Sequence, residues 1–238
     1  MPSMRVALAL GAAVAAASSG CASQSQRGVA EAGIPLGKPP VAVERFCRAR
    51  AQRRSFPVAC PTRYPRARGG VVASSGQSML GPSFYWASFN DQSGVADNGH
   101  VILGGQRFPF SLRGSAGEAW PRPGEARPVR QLQLPRAQTL LQSDGTSYVV
   151  REAPRVLSRT TVRGAPGLIL AAPSYPAGGM HGDHLIVLWN RSGRGYFVSL
   201  HLEAAPGRRD YTRVERRAAA VATARSFELM PPGGASIG

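Results

Sequence analysis

Apolar and polar positions alternate most clearly between His181 and Glu203, in HGDHLIVLWNRSGRGYFVSLHLE. Two apolar runs, Leu185–Trp189 and Tyr196–Leu202, flank a polar, glycine-containing turn, the pattern of an antiparallel hairpin. A two-residue loop at Ser192-Gly193 sets Trp189 against Tyr196, Val187 against Val198 and Leu185 against Leu200. These large apolar side chains then share one face. The other face pairs Leu188 with Phe197, Ile186 with Ser199 and His184 with His201. A three-residue loop with a bulge slips the register by one, sets Val187 against Phe197 and Leu185 against Ser199, and mixes the two faces. The two-residue register is the consistent one.

Strand-like runs recur at Phe84–Phe89, at His100–Leu103 (ending at Gly104-Gly105), and at Val129–Leu134, Tyr148–Arg151, Val156–Val162 and Leu168–Ala172. GHVIL at 99–103 and DHLIV at 183–187 are alike, over too short a stretch to make a repeat. Helical spacing appears twice. Val43, Phe46 and Cys47 predict a short helix within Val41–Phe56. Thr212 to Glu215 is a capping box, and Asp210 adds negative charge at the positive end of the helix dipole. That second helix is expected to run to about Phe227 and to lie flat on a sheet through Val214, Ala218, Val221 and Ala222. The pattern predicts an α+β fold: mainly antiparallel β-sheet, a C-terminal helix packed on it, and an N-terminal segment stapled by a disulfide.

The first residues change the picture by giving an address. Met1–Arg5 is a short basic start, and Val6–Ala17 is an apolar run too short to span a bilayer comfortably but suited to a signal-peptide core. Ser18-Ser19-Gly20-Cys21 follows. It resembles the bacterial lipobox, in which small residues precede a cysteine that is lipidated and becomes the mature N-terminus. Ser18 stands where that motif prefers leucine, and ordinary cleavage near Ala17 or Ala22 is the competing reading. The expected organisation is a lipoprotein signal peptide over 1–21, a Pro/Gly-rich tether over 22–40 and one secreted domain over 41–228. A sub-boundary would fall in the loop near 114–128, and 229–238 would form a disordered tail. With Cys21 lipidated, Cys47 and Cys60 remain as a pair in an oxidising compartment. A bridge between them contributes about 3 kcal/mol by loop closure. Their spacing is not that of a CxxC redox motif.

Charge adds a candidate surface. The formal net charge is +16, with 13 acids. Lys38 is the single lysine, and that skew toward arginine, beside abundant Ala, Gly and Pro, is what a GC-rich genome writes into coding sequence. Arg45, Arg48, Arg50, Arg53, Arg54, Arg63, Arg66 and Arg68 nevertheless crowd together, with Glu44 the one acid among them. This is either a solvated surface around the disulfide loop or a patch for anionic partners: lipid headgroups, an envelope polymer or another envelope protein. Nucleic acid is not expected, because the address is extracytoplasmic and aromatics do not interleave with the arginines.

The order TTVRGAPGLILA, an apolar strand ending in Trp189, a polar turn, a strand opening with Tyr196 and a closing helix ending ATARSF resembles a recurrent strand–hairpin–helix domain of bacterial lipoproteins and of the extracytoplasmic parts of anti-sigma-factor-like proteins. The wording HGDH…LWN…GYFVSLH is also similar to secreted lipoproteins of GC-rich, actinobacterial type. The resemblance covers about residues 155–228. It implies a sheet with a packed helix and an envelope role, and it transfers no catalytic residue.

Searches for GxSxG, SxxK, HExxH and a Walker loop find nothing. One constellation remains. Three of the 4 histidines, His181, His184 and His201, belong to the hairpin region, and neutral imidazoles are good transition-metal ligands. Their competing role is to cap a sheet edge by hydrogen bonding. The favoured function is therefore a membrane-anchored, non-catalytic binding or sensing domain without a cofactor. The alternative is a metal-dependent hydrolase of envelope material, with a transition metal such as zinc on the histidines.

Overall fold

The computed structural model describes residues 33–66, 73–91, 99–122, 138–141, 145, 147–150, 153–173, 183–203 and 209–233. The expected leader, Cys21, the tether up to residue 32, the strand at Val129–Leu134, Arg68 and His181 lie outside the described residues. In chain order the elements are β1 (Leu36–Gly37), α1 (Val41–Ala51), β2 (Val58–Pro61), β3 (Tyr64–Pro65), β4 (Ala73–Gly81), β5 (Phe84–Asp91) and β6 (Gly99–Gln106). There follow β7 (Gln138–Leu141), β8 (Ser147–Val150), β9 (Arg155–Val162), β10 (Ala165–Ala171), β11 (Leu185–Arg191), β12 (Arg194–Leu202), α2 (Arg213–Arg225) and β13 (Phe227–Met230). Seven strands form the main sheet, in the order β4-β5-β6-β12-β11-β10-β9, and every pairing in it is antiparallel. Strands from before and after residues 114–122 thus share one sheet.

The hairpin β11–β12 takes the two-residue register. Trp189 pairs with Tyr196, Val187 with Val198 and Leu185 with Leu200. Ser192 and Gly193 both have positive φ, 51° and 71°, which matches the right-handed twist of the strands they join. Leu185 through Trp189 are all buried, so both faces of the hairpin are covered. On the first face, Leu185, Val187, Trp189, Tyr196, Val198 and Leu200 join a core built with α1, β2, α2 and β13. On the second, Ile186, Leu188 and Phe197 pack with Trp86, Ile102, Leu168, Leu170, Phe110 and Trp120. Trp120 is anchored by its indole N–H, which donates to the Ser111 carbonyl at 2.9 Å.

Gly104 and Gly105 do not end β6, as their composition suggested, but lie inside it. Gly104 stands between Trp86 of β5 and Phe197 of β12, and Gly105 between Tyr85 and Tyr196. A Cβ on Gly104 would sit 2.5 Å from the Phe197 ring, and one on Gly105 2.8 Å from the Tyr196 ring. The missing side chains make room for the aromatics of both neighbouring strands, which restore the lost burial.

The two helices hold the first face. Val43, Phe46 and Cys47 of α1 are buried as their spacing predicts, and the helix ends at Ala51. Cys47 and Cys60 form a disulfide that ties α1 to β2. The capping box of α2 is complete: Thr212 accepts from the Glu215 backbone N–H, and the Glu215 carboxylate accepts from the Thr212 backbone N–H. α2 lies against β11 and β12, but through a different stripe from the one expected. Ala219, Ala220, Thr223 and Ala224 are buried, whereas Val214 is 77 % exposed. Small residues set three and four apart admit the closest approach to the sheet, and Val214 lies in the first turn, beyond that contact. A second correction concerns the end of the domain. Leu229 and Met230, placed by sequence in a disordered tail, belong to β13, which pairs with β2. Phe227 begins that strand rather than ending the helix, because its ring packs edge-on against Trp189 at 5.1 Å. Among the described residues no helix is long and apolar enough to cross a membrane.

Candidate functional site

The middle three strands of the sheet are β6, β12 and β11, and each carries a histidine at the same end. His100 pairs with His201 in the register of β6 and β12. His184 immediately precedes β11, where Leu185 pairs with Leu200, so it comes level with His201. Strand alternation puts all three on the face of Ile102, Ser199 and Ile186. β6 and β11 are two strand spacings apart, about 9–10 Å, yet the His100 and His184 rings meet with centroids 4.5 Å apart. His201 lies 5.4 Å from each of them.

The hydrogen bonds define what this cluster can do. Nε2 of His184 is 2.9 Å from Nε2 of His100, so one nitrogen donates the single proton and the other accepts it. Nδ1 of His184 is 2.6 Å from the Ser199 hydroxyl, and both residues are buried, at 1 % and 0 % exposure. His201 turns Nε2 toward the Glu203 carboxylate at 2.9 Å, while its Nδ1 is buried without a hydrogen-bond partner. The tautomer with a proton on Nε2 satisfies Glu203 and leaves Nδ1 as a bare acceptor. That is the cheaper way to bury an unpaired ring nitrogen.

α2 braces this corner. Asp183 has a φ of 51°, a left-handed conformation that aspartate tolerates. Its carboxylate accepts from Arg216 of α2 at 3.2 Å, and Arg216 also reaches Asp210 at 2.5 Å and the Tyr211 carbonyl at 3.1 Å. On the other side, the Ala172 N–H donates to the His184 carbonyl at 2.9 Å and the Asp183 N–H to the Pro173 carbonyl at 3.0 Å.

Two of the histidines singled out by sequence, His184 and His201, are therefore neighbours. The third member is His100, and His181 lies outside the described residues. The likeness of GHVIL to DHLIV was the signal for His100, since both stretches place a histidine at the head of a strand in one sheet. Among the described residues no group of three or more His, Cys, Asp or Glu side chains is arranged to hold a metal ion. The rings of His100 and His184 are joined directly by a hydrogen bond.

The arginine-rich region divides into two kinds of side chain. Arg45, Arg48 and Arg53 are exposed, while Arg50 and Arg54 are half-buried. The Arg50 guanidinium lies 5.2 Å from the Phe46 ring centroid, and Arg54 donates to the Gly81 carbonyl in the β4–β5 turn. These two are partly structural. Burial, then the nearby charges of Arg53 and Arg54, hold Arg50 below the usual guanidinium range. Glu44, the one acid of α1, reaches Lys38 at 3.6 Å and Arg48 at 3.8 Å. Neither Arg45 nor Arg53 has an ion-pair partner among the described residues. A cleft of about 390 Å³ has Val43 and the disulfide in its wall and Lys38, Glu44, Arg48 and Glu228 as its charged lining.

No protein-family model matches this chain, and comparison with curated proteins and with solved structures returns no match.

Proposed function

We propose that this protein is a lipid-anchored envelope domain, exported and non-catalytic, that holds a basic surface against an anionic partner. The observation that carries this reading is the placement of the arginines. Arg45, Arg48 and Arg50 sit on the first helix after the expected tether, Arg53 and Arg54 just beyond its end, and the Cys47–Cys60 disulfide pins that helix to β2. A disulfide suits an oxidising compartment, and the apolar run with Cys21 behind it suits export and acylation. From Cys21 to Ile34, a buried residue near the start of the described region, the chain spans at most about 45 Å when fully extended. The arginines of α1 thus stay within a short reach of the bilayer surface. The charges of Arg53 and Arg54 bear on Arg50, and an anionic headgroup or wall polymer relieves such a local excess.

Mass spectrometry of the protein recovered from membranes tests the address: the expected product begins at an acylated Cys21, and Cys21→Ser releases the domain. Recovery in the cytoplasm with Cys47 and Cys60 reduced sinks the reading. For the surface, the full chain reconstituted in nanodiscs is compared on anionic and on zwitterionic lipid, using protection of its arginines from a guanidinium-selective reagent. Protection on anionic lipid alone, lost at about 1 M salt where the screening length falls to about 3 Å, is the expected result. Equal protection on both lipids removes the anionic partner from the proposal.

A further inference from the structure

Three of the chain's 4 histidines meet at one corner of the sheet. Two come from the hairpin region of β11 and β12 and the third, His100, stands 84 positions before His184 on β6; the bond between His100 and His184 has a property that no other contact described above shares. A hydrogen bond between two imidazole nitrogens needs one N–H and one bare nitrogen. The 2.9 Å contact between His100 and His184 therefore holds one proton and cannot hold two. A second proton sets two N–H groups head to head and two positive charges on rings 4.5 Å apart, with His184 only 1 % exposed to the water that would screen them.

Among the described residues, the acids Glu203 and Asp183 at this corner already have partners. Just after β12, Glu203 is engaged with His201, and on β12 Ser199 is engaged with His184. At the head of β11, Asp183 is engaged with Arg216 of α2, which it shares with Asp210. On β10 the contact is the uncharged Ala172 backbone. On β5 the register neighbour of His100 is Asn90, followed by Asp91.

We propose that His100 and His184 form an acid-sensitive latch. With one proton between them they tie the start of β6 to the head of β11 across the intervening β12. With both charged, the tie breaks and the Asp183-His184 corner comes away from β10, losing the bond from Ala172 N–H to the His184 carbonyl. The partner is the hydronium concentration outside the cytoplasm, and imidazole is the side chain whose charge changes between about pH 5 and pH 8. The latch would work in any compartment whose pH varies, so it does not depend on the lipid anchor.

The test is amide hydrogen exchange of Ala172 in the full chain at about pH 7.5 and about pH 5, corrected for the intrinsic pH dependence of exchange. Opening is expected to rise about tenfold at the lower pH, the size of one unit of linked protonation. In His100→Gln, whose amide can still donate to His184 but cannot charge, the rise should shrink to under about threefold. Exchange that does not change with pH, or that rises as much in His100→Gln as in the wild type, overturns the proposal. Should His100→Gln fail to fold, the ring proton resonances of the wild type decide. The two rings taking up protons in separated steps, with loss of their mutual contact, supports the latch; independent titration with the contact kept overturns it. Zinc added at about pH 7.5 is the final arm: added protection of Ala172 by zinc would make the corner a cation site and end the proton reading, and no change supports it.

Discussion

The two ends of β6, β12 and β11 share one sheet and are built by opposite means. At one end, Gly104 and Gly105 vacate space that Phe197, Tyr85 and Tyr196 fill, and Trp189 packs on Tyr196 and Phe227. At the other, His100, His184 and Ser199 are joined by hydrogen bonds, and the His201 ring lies against His100 and His184 while bonding to Glu203. An apolar end is indifferent to its solvent and sensitive to shape. A polar end is the reverse, since each bond is worth only about 1 kcal/mol net while an unmade one costs more. The aromatic end therefore carries the stability, and the histidine end is the part whose state can change at small cost.

The largest effect should come from truncating the aromatic end. Trp189 is 2 % exposed and sits at the meeting of β11, β12 and β13, so Trp189→Ala is expected to cost about 4 kcal/mol, read from urea midpoints. It should also detach β13 from β2, because Phe227 loses its edge-on partner. A loss under about 1 kcal/mol would show that the two ends do not differ in the way described.

Gly104→Ala tests the same end by adding a group. The new Cβ would lie 2.5 Å from the Phe197 ring and 2.6 Å from the Tyr85 carbonyl oxygen, and the backbone atom cannot swing aside. A cost of about 2–3 kcal/mol is expected, by the same measurement. Gly193→Ala makes an instructive contrast, for its φ is 71° but nothing lies within 4 Å of the added Cβ, so only the backbone preference is felt. Its cost should be about 1 kcal/mol.

The contrast between the ends also marks where the sequence was readable. The hairpin register followed from alternation over a few residues and a turn that demands positive φ at Ser192 and Gly193, all of it local. The capping box and the buried positions of α1 were legible for the same reason. Gly104-Gly105 read as a strand end because the aromatics that compensate for them belong to β5 and β12. His100 is 84 positions from His184, and no local pattern says that β6 lies beside β12 rather than at an edge. In α2 the pattern favours valine over alanine at the contact, and the structure reverses that order. Closeness of approach won, and Val214 was left outside.

At the histidine end a smaller effect is expected from Ser199→Ala. The substitution removes the hydroxyl 2.6 Å from Nδ1 of His184 without disturbing the apolar packing around it. Stability at about pH 7.5 should fall by about 1 kcal/mol. The tautomer of His184 is also released, which nitrogen chemical shifts of the ring would report. A cost matching that of Trp189→Ala would mean that the polar end bears load after all.

The smallest effect separates the corner from the helix that braces it. Glu215 is held down to about 2, first by the hydrogen bond from Arg209, then by the Thr212 backbone N–H and hydroxyl. A carboxylate whose folded value lies below its usual 4.5 contributes stability that is fully present above that usual value and is lost as pH falls through the folded value. The first turn of α2 should therefore stay closed at about pH 5 and loosen only between about pH 4 and about pH 2, well below the window in which imidazoles charge. The Glu215 amide, which donates to the Thr212 hydroxyl at 3.2 Å, reports this by its hydrogen exchange. Thr212→Ala should open it at all pH values at a cost of about 1 kcal/mol. If the Glu215 and Ala172 amides open together near pH 5, then Arg216 and its bridge to Asp183 make α2 and the histidine corner one cooperative unit. If they open in separate windows, the corner responds to acid on its own while the helix that holds it stays in place.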